Sequence, residues 1–217
     1  MAAAACRTAS TTAADRGSIE WYAHEARREG KTHITIPAPI GMYARLSSLD
    51  EALSTQEAFI GTPIASFTQV FERNRIVTWY KLRVLESLVR HPNPEVAAIA
   101  LPQSLEPVLQ SEMVIFTVQG TVSIDGVRVT MFDRDCRLLD PGRKYVFFVS
   151  PDSSGRFAWL RAGPNAVFAI NPQGKLEPLV NTRDAMQLDL AALTGNSLDR
   201  LRKIARAKAA GVTPLAN

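Results

Sequence analysis

Arg28 to Pro37 reads REGKTHITIP, and Gly30-Lys31-Thr32 has the look of the tail of a phosphate-binding loop. That chemistry needs a further glycine five residues before Gly30, where the chain carries Glu25. It also needs a strand before the loop and a helix after it, so that backbone N–H groups and the helix dipole meet the phosphate. Here the order is helix, glycine, strand, and both a carboxylate and a helix C-terminus repel an anion. Gly30 is read instead as a helix stop.

Asp133, Asp135 and Asp140, around Cys136, raise a calcium loop as the next chemistry. An EF-hand needs a third oxygen ligand at 137 and glycine at 138, where the chain has Arg137 and Leu138. Arg134 and Arg137 neutralise the carboxylates, so the segment reads as a solvated turn. His24, His33 and His91 are the three imidazoles. Glu20 and His24 share a helical face at i,i+4 without a second histidine or cysteine to complete a metal site. A Cys136–His91 couple would be a thiol–imidazole pairing, but a lone buried cysteine reads as an apolar filler. There is no Gly-x-Ser-x-Gly nucleophile elbow. No catalytic constellation, cofactor or metal is expected.

The positive constellation is aromatic and basic. Trp79, Lys81 and Arg83 share one strand face, as do Phe157, Trp159 and Arg161. Aromatic rings beside cations can stack bases and hold phosphates in single-stranded nucleic acid. The opposing reading puts the rings in the core, with the cations reaching the rim along their aliphatic stems. These six residues are the candidate binding surface.

The chain has 217 residues, 46% apolar and 21% charged, enough for a core without staples. Its net charge of +4 permits an anionic partner without requiring one. Much of the excess lies near the C-terminus, where Asp199 to Lys208 holds five basic residues against one acid. Two distant cysteines, Cys6 and Cys136, make neither a disulfide framework nor a zinc ribbon. No apolar run reaches the roughly 20 residues of a membrane-spanning helix. Read from Met1, the chain is expected in the cytoplasm. With a start upstream, the small residues before Cys6 would end a lipoprotein signal, and the protein would be exported and lipidated.

The elements that would position these side chains follow from periodicity. Residues 1–17 are small and polar, without pattern, and are expected to be disordered. Ser18 caps a helix with Ile19, Tyr22, Ala23 and Ala26 inward. Ile34 and Ile36 start an extended segment laid against the strands beyond. Ser48-Leu49-Asp50-Glu51 is a capping box opening a short helix. Phe59 to Phe67 reads as a strand with a bulge or edge at Gly61 and Pro63, and Ile76 to Leu85 as a regular one. Residues 91–110, rich in proline, read as an insertion. Asp125-Gly126 makes a type I′ hairpin whose register pairs Ile124 with Val127 and Val122 with Val129. Strands follow at Lys144–Ser150, Arg156–Arg161 and Ala166–Ile170, and a last one ends at Leu179. Helices are expected at Ala185–Leu193 and Ser197–Ala209, the second with Leu198, Leu201, Ile204 and Ala205 inward.

Many short strands at even spacing predict a small antiparallel barrel or sandwich. Phe59–Phe67, then Trp79-Tyr80-Lys81-Leu82-Arg83-Val84-Leu85-Glu86, then Cys136 with Pro141-Gly142-Arg143-Lys144-Tyr145-Val146-Phe147-Phe148, resemble a netrin-like OB barrel of the tissue-inhibitor-of-metalloproteinase type. The whole chain also resembles an uncharacterised bacterial protein family with a helix, an extended Gly-Lys-Thr segment and this barrel. The N-terminal cysteine cluster that carries metalloproteinase inhibition in the animal proteins is missing, so the resemblance implies a fold and transfers no functional residue. The expected organisation is a tail at 1–17, a helical and extended segment at 18–58, a mainly β OB-like barrel at 59–180 with the 91–110 insertion, and helices at 181–217. The expected function is non-catalytic binding of a protein or peptide, possible envelope location included, with single-stranded nucleic-acid binding as the alternative.

Overall fold

The computed structural model describes residues 15–39, 45–90, 101, 103–107, 109–133, 136–160, 162–180 and 184–211. Cys6, His91 and Arg161 therefore lie outside the described residues, as do 1–14 of the expected tail and most of the expected insertion. The fold is mainly β, with two sheets and four helices among the described residues.

Ser18 caps α1 (Ile19–Arg28) by accepting a hydrogen bond from the Trp21 N–H, and Gly30 follows the helix with φ +72°. The chain then enters β1 (His33–Pro37). Instead of lying on the large sheet, β1 pairs in parallel with β6 (Val127–Phe132) of the hairpin whose other arm is β5 (Gly120–Ile124). The order is β1-β6-β5. The physical reason is the hairpin's two-faced pattern. Val127, Val129 and Met131 present one apolar face, and Ile19, Ala23, Ala26 and Ile36 close over it as a core of their own. The predicted register holds, with Val122 opposite Val129 and Ile124 opposite Val127, and Gly126 takes φ +82° in the turn.

The large sheet runs β10-β9-β7-β2-β3-β4. Its strands are β2 (Glu57–Phe71), β3 (Arg75–Val89), β4 (Glu112–Thr117), β7 (Tyr145–Pro151), β9 (Val167–Ile170) and β10 (Leu176–Pro178), with β8 (Ala158–Trp159) paired to β7. The β2–β3 hairpin exceeds the expected strands at both ends, and β4 is a strand that alternation did not reveal. Glu112 to Thr117 is nearly continuous in burial, so it carries no period of two. A single parallel bridge joins Val114 to Phe157, where the Val114 N–H donates to the Arg156 carbonyl at 2.8 Å. No continuous ladder closes the sheet into a barrel among the described residues.

Each face of the large sheet has a core. On one, Phe59, Tyr80, Leu82, Ile115, Tyr145 and Phe147 meet Cys136, Leu139 and Leu179. On the other, Ala58, Ile60, Val146 and Phe148 pack under α2 (Leu49–Thr55), α3 (Ala185–Thr194) and α4 (Leu198–Ala209). The capping box at α2 forms in altered shape. Ser48 accepts from the Glu51 N–H, while the Glu51 carboxylate turns back to Ser47 rather than to Ser48. Cys136 and Leu139 are buried, so the expected solvated turn after the hairpin is in part an inward-facing cover.

Candidate functional site

Trp79, Phe157 and Trp159 do come together, but as interior. Trp79 is 2% exposed and Phe157 fully buried. Their ring centroids lie 6.0 Å apart, and Phe116 packs 5.1 Å from Trp79 and 5.9 Å from Phe157. Trp159 meets Phe157 edge-on at 5.0 Å and is half-buried. Leu105, from a short 3-10 turn at Gln103–Leu105, joins the same cluster. The cause lies in the partners of β3. With β2 and β4 on either edge and a core against each face, both sets of alternating side chains from Ile76 to Tyr80 are buried. Burying each large apolar side chain is worth about 1.5–3 kcal/mol, more than an exposed aromatic face would retain.

Lys81 does not reach a groove either. Its Nζ lies 3.0 Å from Glu112 Oε2 and donates to the Glu106 carbonyl at 3.0 Å, with the two side chains only 12% and 7% exposed. Arg83 is exposed, opposite Glu112 in the β3–β4 ladder. The six expected residues thus divide into a buried ring cluster, a buried ion pair and one surface arginine, with Arg161 outside the described residues.

A second polar group sits inside the opposite core. The Leu139 N–H donates to Tyr80 Oη at 3.3 Å, and the Asp140 N–H donates to Tyr145 Oη at 2.8 Å. The Gln119 amide donates to Cys136 Sγ at 3.3 Å. These bonds hold residues 136–140 against the sheet. Burial, reinforced by the Asp133 charge, pushes the Cys136 thiol up to about 12, and burial pushes the Tyr80 phenol up to about 12. A protonated, enclosed thiol is a poor nucleophile and a poor metal ligand. Among the described residues no group of three or more His, Cys, Asp and Glu could hold a metal ion, and no helix is long and apolar enough to cross a membrane.

The surface site lies farther along β3. Consecutive β2 residues Ile60 and Gly61 pair with Glu86 and Val84, so Leu85 is the extra residue of a β-bulge. A bulge re-aims the side chain it carries. Leu85 is 46% exposed, at the edge of a groove of about 700 Å³. Ile60, Ile170, Pro172 and Leu198 supply further apolar lining, and Arg143, Lys144, Glu86 and Arg202 the polar lining.

Three local structures set the walls. The β9–β10 turn is tied by Asn171, whose Oδ1 accepts from the N–H groups of Gln173 and Lys175. That turn docks on the start of α4 through hydrogen bonds from the Leu176 N–H to the Asn196 carbonyl and from the Leu198 N–H to the Gly174 carbonyl. Arg202 then clamps α4 to β3. Its Nε and Nη2 donate to both carboxylate oxygens of Glu86 at 2.6–3.1 Å, and its Nη1 donates to Asp199 at 2.9 Å. The hydrogen bonds Arg202 donates to Glu86, ahead of the opposing effect of burial, hold the Arg202 pKa above its ordinary value. Arg143 is fixed by Glu177 at 2.7 Å and lies 5.9 Å over the Tyr145 ring.

Glu86 and Arg202 also border a second hollow of about 480 Å³, reached by Lys203 and Arg206 of α4. The two hollows form one trough divided by the Arg202–Glu86 clamp. Sequence reasoning missed it because it depends on the bulge at Leu85 and on which β strand α4 packs against. The one legible trace was the basic excess between Asp199 and Lys208. Comparison with protein families finds no family model that matches the chain, and none of the curated proteins matches it.

Proposed function

We propose that this chain is a non-catalytic binding module that recognises a protein or peptide segment in the trough between β3, the β9–β10 turn and α4. The observation that carries the reading is Leu85, an exposed apolar side chain at a β-bulge on the edge of a groove of about 700 Å³. An exposed apolar anchor beside fixed polar walls is the usual make-up of a recognition site. We read the framework beneath it as an OB-like barrel of the netrin-like kind. Strands β2, β3, β4, β8 and β7 follow one another through ladders, and the Val114–Phe157 bridge spans the remaining gap. The alternative, single-stranded nucleic-acid binding on the aromatic faces, is disfavoured by the burial of Trp79 and Phe157 and the pairing of Lys81.

The test is selection of peptides from a random display library on the wild-type protein, with the selected peptides then measured against Leu85→Asp. Peptides that bind the wild type and lose at least tenfold on the variant support the reading. Peptides that bind both proteins equally, or a selection that enriches nothing, overturn it.

A further inference from the structure

Three cations line the trough without an ion pair among the described residues: Lys144 on one side of the Arg202–Glu86 clamp, and Lys203 and Arg206 on the other. All three are exposed. Arg202 itself is paired with Glu86 and Asp199, and Arg143 is engaged by Glu177. The trough therefore offers positive charge at both ends and an apolar patch of Leu85, Ile170 and Leu198 beside the clamp. Lys203 and Arg206 stand three apart on α4, so their side chains rise as neighbours on one helix face.

From this arrangement we infer that the partner is an acidic, extended peptide segment with an apolar anchor flanked on both sides by carboxylates. The inference rests on the trough being the binding site. The anchor packs on Leu85 and Ile170, one acidic flank meets Lys144, and the other meets Lys203 and Arg206. Charge complementarity of this kind steers encounter and fixes the direction in which a segment lies, and it weakens with salt. The aliphatic stems of Lys144 and Lys203 add contact area around the anchor.

The experiment uses the full chain and four labelled probes in fluorescence anisotropy at 50 mM and 300 mM salt. Three are peptides with a central leucine–phenylalanine pair flanked by two glutamates, two lysines or two serines on each side, and the fourth is an oligothymidine of 12 nucleotides. Binding of the glutamate peptide that weakens at least tenfold in Lys144→Glu/Lys203→Glu, and at least threefold at the higher salt, supports the inference. The substituted residues are exposed and unpaired among the described residues, and an unchanged thermal midpoint shows that the variant folds. Preference for the lysine or serine peptide, with loss of that binding in Leu85→Asp, overturns the acidic partner and leaves the trough as the site. Tighter binding of the oligothymidine than of any peptide overturns the inference in favour of a phosphate chain. Glutamate-peptide binding that is the same in the charge-reversed and wild-type proteins overturns the inference, and if it also survives Leu85→Asp it overturns the trough with it.

Discussion

Replacing Lys81 by Met separates a structural lysine from a ligand-binding one. The pair to Glu112 measures 3.0 Å between side chains that are 12% and 7% exposed. At an effective dielectric of about 20, unit charges at that separation attract by about 5–6 kcal/mol, much of which offsets the desolvation of both groups. Lys81→Met removes the attraction and leaves the desolvation of Glu112. The expected loss is about 3–5 kcal/mol, the range for breaking one side of a buried pair. In a chain of this size that lowers the thermal midpoint by roughly 10 °C. Removing both charges in Lys81→Met/Glu112→Leu also removes the desolvated carboxylate and brings the protein back to within about 1–2 kcal/mol of wild type. Part of that remainder is the Leu109 N–H, which donates to Glu112 and would lose its acceptor. Urea titration followed by tryptophan fluorescence reads all three proteins, since Trp79 is buried and reports on the same core. A single variant within 0.5 kcal/mol of wild type, or a double variant as damaged as the single, refutes the buried-pair reasoning.

Three further outcomes follow from the fold. At Gly120 an added Cβ would lie 2.5 Å from Thr78 Oγ1 and 2.6 Å from Thr68 Cγ2, with φ at +142°, whereas at Gly126 it meets open space. Gly120→Ala is expected to cost about 2–4 kcal/mol and Gly126→Ala about 1 kcal/mol in chemical denaturation, because only the first adds a clash to an unfavourable φ. Stability should also fall with rising pH in the alkaline range. Native Cys136 and Tyr80 hold their protons to about 12, while the unfolded chain releases them from their ordinary values of 9.0 and 10.0. Between those limits the native state binds more protons, so the contribution is fully present below pH 9 and is lost as pH climbs toward 12. Urea midpoints measured from pH 8 to 11 should decline above pH 9, and Cys136→Ala should move the onset upward toward pH 10. A thiol reagent at pH 8 should modify Cys136 only on unfolding.

Much of the fold was legible because local chemistry decided it. Asp125-Gly126 dictates its turn, and the alternation around it fixes the register; Ser18 and Ser48 accept from the N–H groups their positions predict. What could not be read was set by tertiary pairing. The partner of Ile34 and Ile36 is β6, roughly a hundred residues away, and nothing in His33–Pro37 names it. Trp79, Lys81 and Arg83 do alternate, yet alternation says which side chains share a face and not whether that face is covered. Here the 3-10 turn at Leu105 and the strand edge at Phe157 cover it. The trough was illegible for a related reason. Leu85 continues the apparent alternation of β3, and only the pairing of Glu86 and Val84 with consecutive β2 residues exposes it as a bulge.

The most direct test of the trough as the binding site is an amide shift map of the isotopically labelled protein titrated with the glutamate-flanked peptide. The account predicts shifts clustered at Leu85, Lys144, Ile170, Asn171, Lys203 and Arg206, with the amides of Trp79, Phe157 and Trp159 unmoved. Shifts centred on Trp79, Phe157 and Trp159, with the trough silent, would contradict it.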